Sequence, residues 1–401
     1  MLTSSGRTPI WRLHGILPLL VVTSVGFSGY AVLLTVAPLW AVAGGSGSAG
    51  AGLVNGVLML FTVLAQAFVP VALRRFGWGP TLISGLVLLG LPSPLHLLSN
   101  DLGVLLGLSA VRGLGFGVLT VAGSAAVAEL VEPKRRGEAI GAYGLAIAAP
   151  QLVLLPFSPW IAEHLGYGLA FALGACPLLG VVSAAILARR LRDRVPEQHS
   201  AAEEAPYGGR RAVLVGLLRP VILLLGVTVA GGALMTFTPQ MSADPTATVL
   251  GLFLLTATTA LSRWRFGTLA DRYGTRVFLW PLVILTVIGL AVVSWAVRDS
   301  SSTQVVPLLI GLAAVGVSYG GLQNLTLVQA FHSVRRRDYG LASAAWNTGF
   351  DAGTGLGAVV VGALAAGFSF PVALLVSAGF SLLTLPLALL PPRRRPGAQP
   401  A

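Results

Sequence analysis

The sequence predicts an all-α membrane protein, with twelve transmembrane helices in two pseudo-symmetric six-helix bundles. Three observations carry this reading. First, the 401 residues are 55% hydrophobic and only 10% charged, more apolar surface than a soluble core of that length can hide. Second, apolar runs of about 18 to 27 residues recur from end to end, each long enough to cross a hydrocarbon layer of roughly 30 Å as a helix. Third, two charged stretches recur at matching places in the two halves of the chain. Helices are the expected element because a backbone in lipid must satisfy its own hydrogen bonds, and the short alternating segments of a β-barrel are absent.

In chain order, the spans are expected at 16–42, 50–72, 80–98, 103–128, 139–162, 167–189, 217–240, 247–265, 277–297, 304–327, 341–366 and 370–390. Behind the first, Ala41-Val42-Ala43 resembles a signal-peptidase site, but the apolar stretch is too long for a signal core and is read as a retained helix. Span five contains Pro150 and Pro156. The single cysteine, Cys176, falls in span six and excludes an intramolecular disulfide. After span six comes "ARRLRDRVPEQHSAAEEAPYGGRRA", the longest polar stretch, which reads as a linker. It divides the chain into a first half, 1–188, a linker, 189–212, and a second half, 213–401. The 50 glycines suit close helix contacts in a bilayer.

A net charge of +12 raises nucleic acid as a partner, and position decides against it. With the N-terminus inside, every basic residue except Arg298 and Arg112 falls to the cytoplasmic side, including Arg74, Arg75, Lys134 to Arg136 and Arg335 to Arg337. That is the positive-inside pattern, and it places both termini in the cytoplasm. The outside loops carry Asp101, Glu163, Asp244 and Asp299. Trp40, Trp160, Trp280 and Trp295 stand at span ends, where an amphipathic ring prefers the interface. Arginine in place of lysine, with abundant Ala and Gly, points to a GC-rich bacterial genome, and the expected location is the bacterial inner membrane.

The internal repeat carries the most specific signal. "GTLADRYGTR" (267–276) follows the second span of its half, and "PVALRRFGWG" (70–79) stands at the same place in the other half. "KRRGEAIGAYG" (134–144) and "RRRDYGLASAA" (335–345) each follow a fourth span. These positions resemble the major facilitator superfamily, of the twelve-helix drug or metabolite efflux type, over essentially the whole chain. The family's loop signature, Gly-x-x-x-Asp-Arg-x-Gly-x-Arg, is matched by Gly267, Asp271, Arg272, Gly274 and Arg276. The resemblance implies a conformational latch: its glycines allow a tight turn, and Asp271 reaches the N-terminus of span five, near Arg136 to Ala139, where free N–H groups favour an anion. The first-half copy has Arg74 in place of the Asp and Pro70 in place of the first Gly, so Asp271 carries the latch alone.

Charges deep in a span cost on the order of 2.5–3.5 kcal/mol each, and two require a reason. Arg112 lies about a third of the way down span four from the outside. The resemblance gives an arginine in this helix a role in proton or substrate handling; the other reading is a side chain snorkelling to lipid or water. Asp351, in "WNTGFDAGTGLGAVVVG", is near mid-membrane. Asn347, Asp351 and Thr354 form one polar stripe, opposite a small-residue face of Gly349, Gly353 and Gly357. A carboxyl group there serves either proton exchange or a helix-packing hydrogen bond. Trp346 sits on the neighbouring face, for packing or for stacking on substrate.

Further polar stripes are Ser24, Ser28 and Thr35 in span one, Thr236 and Gln240 in span seven, and Tyr319, Gln323 and Thr326 in span ten. All are uncharged, so the cavity they would line favours a lipophilic or weakly polar solute over a phosphate or a small carboxylate. Ala149-Pro150 only loosely matches the Gly-Pro motif of the family's drug–proton antiporters. No metal-spaced His/Cys cluster, phosphate loop or nucleophile elbow is present, so neither an enzyme nor a cofactor is expected.

The expectation is a secondary transporter, a monomer whose partners are a lipophilic small molecule, protons and the bilayer. Proton-coupled efflux by alternating access leads, with import or facilitated passage of a neutral solute second. A transport-dead sensor or assembly subunit on the same fold is the alternative of another class.

Overall fold

A computed structural model describes residues 11, 13, 15–132, 135–192, 209–242, 244–299, 302–335 and 338–390, without the side chains of 128, 136, 137, 209–212 and 271. Twelve helices are long and apolar enough to span a membrane, and no strand occurs among the described residues. They are α1 (Ile16–Ala43), α2 (Gly47–Phe76), α3 (Trp78–Leu98), α4 (Leu102–Leu130), α5 (Arg136–His164), α6 (Tyr167–Arg192), α7 (Gly209–Met241), α8 (Pro245–Tyr273), α9 (Arg276–Ala296), α10 (Val305–His332), α11 (Tyr339–Gly367) and α12 (Phe370–Leu389). Large apolar side chains such as Phe68, Leu179 and Val306 remain exposed on the outside, as a lipid-facing surface requires. The expected linker falls outside the described residues over 193–208.

Helix ends follow local chemistry. Two acids expected in outside loops cap helices: Asp101 accepts from the N–H groups of Gly103 (2.9 Å) and Val104 (3.3 Å) at the start of α4. Asp244 accepts from Thr246 N–H (2.8 Å) at the start of α8. Each satisfies donors that a helix start leaves free. α2 and α8 both stop at a glycine with positive φ, Gly77 (78°) and Gly274 (80°), a conformation that other residues rarely adopt. α8 continues to Tyr273, eight residues past the expected limit of 265. Hydropathy marks where the apolar composition ends, whereas backbone hydrogen bonding carries a helix on into a polar environment.

Two helices are less regular than their hydropathy suggested. α3 breaks around Pro92 and Pro94 and ends in a 3-10 turn at His96–Leu98. α6 contains a 3-10 segment at Cys176–Gly180, where Pro177 interrupts the ladder. That irregular stretch lets Gly29 of α1 pack against the Gly174 carbonyl and Pro177.

Helix pairing repeats in the two bundles: α1 packs on α5 as α7 packs on α11, and α2 on α4 as α8 on α10. Two seams then join the bundles, α2 with α11 and α5 with α8. The α2–α11 seam is closely fitted, since a Cβ added at Gly52 would run into the carbonyl of Ala358, and one at Gly56 into Val359. α11 is equally tight on its other side. Gly349, Gly353 and Gly357 meet Val221, Thr228 and the Val229 carbonyl of α7, which accounts for the small-residue face.

Candidate functional site

A cavity of about 200 Å³ lies between the bundles at mid-length. Its walls are mainly aromatic. Tyr30 stacks on Phe116 with centroids 4.0 Å apart, and Trp346 stacks on Phe350 at 5.6 Å. All four line the cavity, with Tyr143 of α5 and Tyr319 of α10. The polar lining comes from Gln151, Gln323, Asn347 and several hydroxyls, together with two charged residues, Asp351 and Arg263.

The lining is lopsided along the bundle axis. Thr120 and Ser124 belong to the second half of α4, and Tyr143 and Ile147 to the first half of α5. These segments lead to the end that carries Arg74, Arg75 and Arg135. At the opposite end α2 and α11 meet closely, and Ser48 Oγ donates to the carbonyl of Gly362 at 3.1 Å. The bundle is therefore shut at one end and hollow toward the other.

Asp351 is 5% exposed, and its Oδ2 accepts from Nε2 of Gln66 at 2.6 Å. Gln66 is on α2, so this hydrogen bond crosses between the halves beside the cavity. Thr348 Oγ1 also approaches Gln66 Oε1, at 3.5 Å. A second polar tie crosses at Asn55 of α2, whose Nδ2 donates to Leu34 O (2.8 Å) and to Thr236 Oγ1 (2.9 Å). Neither Gln66 nor Asn55 stood out in the sequence, because a lone amide in an apolar helix reads as a packing residue.

Other sequence-selected residues divide into two groups. Tyr319, Gln323, Asn347, Asp351 and Trp346 share the cavity wall. Thr326 stands just behind it, accepting from Trp346 Nε1 at 3.0 Å. Ser28 and Gln240 stand outside the lining. Ser28 Oγ donates to the Ser24 carbonyl of its own helix at 2.7 Å, and Gln240 Nε2 is buried without a partner among the described residues. Arg112 is 0% exposed inside the first bundle. Its Nη2 donates to Gly29 O at 3.3 Å, while Nε and Nη1 have no partner among the described residues. It does not snorkel.

Arg263 requires a correction. A span drawn to end at 265 placed it with the cytoplasmic charges, but in the longer α8 it lies ten residues before Tyr273, about 15 Å up the helix and in the cavity wall. Its Nη1 donates to Gln323 Oε1 at 3.4 Å, and its backbone carbonyl accepts from Asn324 Nδ2 at 3.1 Å. Two adjacent residues of α10 thus hold it.

Two repeated bundles around one central cavity are matched by a family model. The model described as Major Facilitator Superfamily aligns with residues 19–330 and 240–401. The chain belongs to the Major Facilitator Superfamily. Among solved members of similar fold is a bacterial homolog of the human lysosomal transporter Spinster, inward-facing and unoccupied. It has a TM-score of 0.75 and 14% identity, covering 96% of this chain and 97% of that one. A D-xylose–proton symporter follows with a TM-score of 0.70 and 15% identity, covering 94% of this chain and 98% of that one. A sequence relative is the probable 4-methylmuconolactone transporter of Cupriavidus pinatubonensis, 23% identical over 289 residues. The match takes in 66% of this chain and spans 64% of that relative's length. These relatives are named as transporters rather than enzymes.

The superfamily's loop signature lies at the cavity's open end. Gly274 makes the turn with its N–H on Ala270 O at 2.9 Å, and Gly267 faces the Asn324 side chain. Arg272 lies 5.2 Å from the Tyr273 ring centroid, and Arg276 Nη2 donates to Leu389 O at 3.3 Å. The side chain of Asp271 lies outside the described residues. Near its expected target, Glu138 in the first turn of α5 pairs with Arg135 at 2.8 Å.

Proposed function

We propose that this chain is a proton-coupled secondary transporter that exports a small solute with a lipophilic body by alternating access. The observation that carries the reading is the Gln66–Asp351 hydrogen bond. It places a membrane-buried carboxyl group both at the cavity wall and on the seam between the halves. An ionised carboxylate accepts a strong, charge-assisted bond from the Gln66 amide, and a protonated one accepts a weaker bond. Protonation therefore loosens a tie between α2 and α11, linking proton occupancy to the relative position of the bundles. The aromatic walls favour an apolar body, and Trp346, held by Thr326, offers a stacking face.

In this reading the chain is a monomer in a bacterial inner membrane with both termini cytoplasmic, and the hollow end faces the cytoplasm. The two halves, 1–188 and 213–401, rock about the cavity, and Asp271 latches the cytoplasmic side when it closes. Arg112, buried and under-partnered, contributes a fixed positive charge beside the Tyr30 end of the cavity.

The test uses purified protein in proteoliposomes containing a pH-sensitive dye, to which one- and two-ring aromatic solutes are added. Solute-driven proton movement in wild type that disappears in Asp351→Asn, with thermal unfolding unchanged, supports coupling through Asp351. Equal, proton-independent solute passage in both proteins overturns it, and no passage of any solute favours a sensor. Direction is read in inverted membrane vesicles energised acid-inside, where an exporter concentrates solute in the lumen.

A further inference from the structure

Among the described residues, Asp351 and Arg263 are the two charged ones in the cavity wall, yet they are not an ion pair. Asp351 is engaged by Gln66 at 2.6 Å. Arg263 has one side-chain bond among the described residues, to the neutral Gln323 at 3.4 Å, and no carboxylate meets it there. A guanidinium has five N–H donors and cannot lose its charge at accessible pH. Placed about 15 Å inside a helix end, it stands where an unpaired cation is costly, and the open lumen before it is where an anion can enter.

The surroundings fix what kind of anion fits. Arg263 is anchored at both ends by α10, through Gln323 on the guanidinium and Asn324 on the carbonyl. The neighbouring helices cannot drift apart easily: a Cβ at Gly320 would strike the carbonyl of Thr259, and one at Gly316 the hydroxyl of Thr258. The guanidinium is thus a positioned group rather than a free surface arginine. Beyond it the wall turns apolar and flat, with Tyr319, Phe350 and Trp346 in successive ring contacts. A planar donor fork beside an aromatic wall matches a carboxylate carried on a flat apolar body, since arginine pairs with carboxylates through two parallel bonds.

We infer that Arg263 is the anion-reading residue of the central cavity and that the transported solute is a small organic acid, bound as its carboxylate, with a planar unsaturated or aromatic body. The inference rests on the transport reading above and narrows the solute to this chemical class. It also divides labour between the charges. Arg263 holds the solute's carboxylate, while Asp351 remains available to a proton at the seam.

Equilibrium binding to the full chain in lipid nanodiscs, at fixed pH and without a gradient, tests it. The probes are benzoate, phenylacetate and cinnamate, each against its uncharged amide, with acetate as the carboxylate lacking a ring. Wild type should bind at least one arylcarboxylate about tenfold or more tighter than its amide, as a lost charged hydrogen bond implies. Acetate should bind more weakly than that acid. Arg263→Gln should bring acid and amide to within about twofold of each other, and Arg263→Lys should restore part of the preference.

Equal affinity of acid and amide in wild type overturns the inference, as does binding of none of the acids, and neither result needs a variant to fold. Unchanged acid preference in a folded Arg263→Gln overturns it too. The two readings fail separately. Acid-selective binding without proton-coupled flux sinks the coupling and keeps the solute class. Coupled flux of a solute that binds as well in its uncharged form sinks the class alone.

Discussion

The two seams between the bundles are equivalent by the internal repeat, yet they are built differently. In the α2–α11 seam, glycine replaces side chains at the contact, so that Gly52 lies against the Ala358 backbone and Gly362 against the Ser48 carbonyl. The polar ties Ser48–Gly362 and Gln66–Asp351 cross there as well. In the α5–α8 seam, the cavity intervenes between Tyr143, Ile147 and Gln151 on one side and Thr256, Thr259 and Arg263 on the other. Among the described residues, Gly141 and Gly144 of α5 face open space, with no atom beyond their own helix backbone within 4 Å of an added Cβ. Pseudo-symmetry therefore fixes which helices meet, while residue size and polarity decide which seam is fitted and which stands apart. The fitted seam carries the candidate proton group, and the open one carries the cation.

Substitutions at matched positions sharpen that contrast. The largest effect is expected from Gln66→Leu, which leaves the Asp351 carboxyl without its donor. Loss of a charged hydrogen bond of about 1.5–3 kcal/mol should lower coupled flux roughly tenfold or more, as measured in proteoliposomes. An unchanged flux would mean that the inter-half bond is incidental. Next, Gly52→Ala should destabilise the fold by about 1–3 kcal/mol through overpacking against backbone, detectable as a lower Tm in detergent. Thr326→Val leaves Trp346 Nε1 without its acceptor and should cost about 1 kcal/mol, accompanied by a change in tryptophan fluorescence. The smallest effect belongs to the open seam. Gly144→Ala should be neutral or stabilising by up to about 1 kcal/mol, and a loss comparable to that of Gly52→Ala would erase the distinction between the seams.

Much of this arrangement is legible in the sequence alone, because lipid imposes simple rules. Spans announce themselves by apolar length, and a carboxyl among glycines on α11 announces itself by cost. The repeat of "DRYG" and "RRFG" identified equivalent loops. What escaped was relational. Gln66 matters because of what stands opposite it, and no spacing within α2 reveals Asp351. Arg263 was hidden by a boundary, since composition places the end of α8 eight residues too early and sets a wall residue at the cytoplasmic tip of its span. The irregular turns of α3 and α6 were invisible for a related reason: a proline or two inside an apolar run leaves its mean hydropathy high enough to read as one span. Ser28 and Gln240 show the opposite error, since a polar residue in a cavity-lining helix need not face the cavity.

Gly77 and Gly274 have nearly the same left-handed backbone, although the residues around them have diverged from an acid-bearing to a basic sequence. The turn is thus shared as shape by the two halves while its chemistry differs. A chimera carrying 267–276 in place of 70–79 would then inherit a ready scaffold for its glycine, and the sign of charge at each loop becomes a trait that selection can change without redrawing the chain's path.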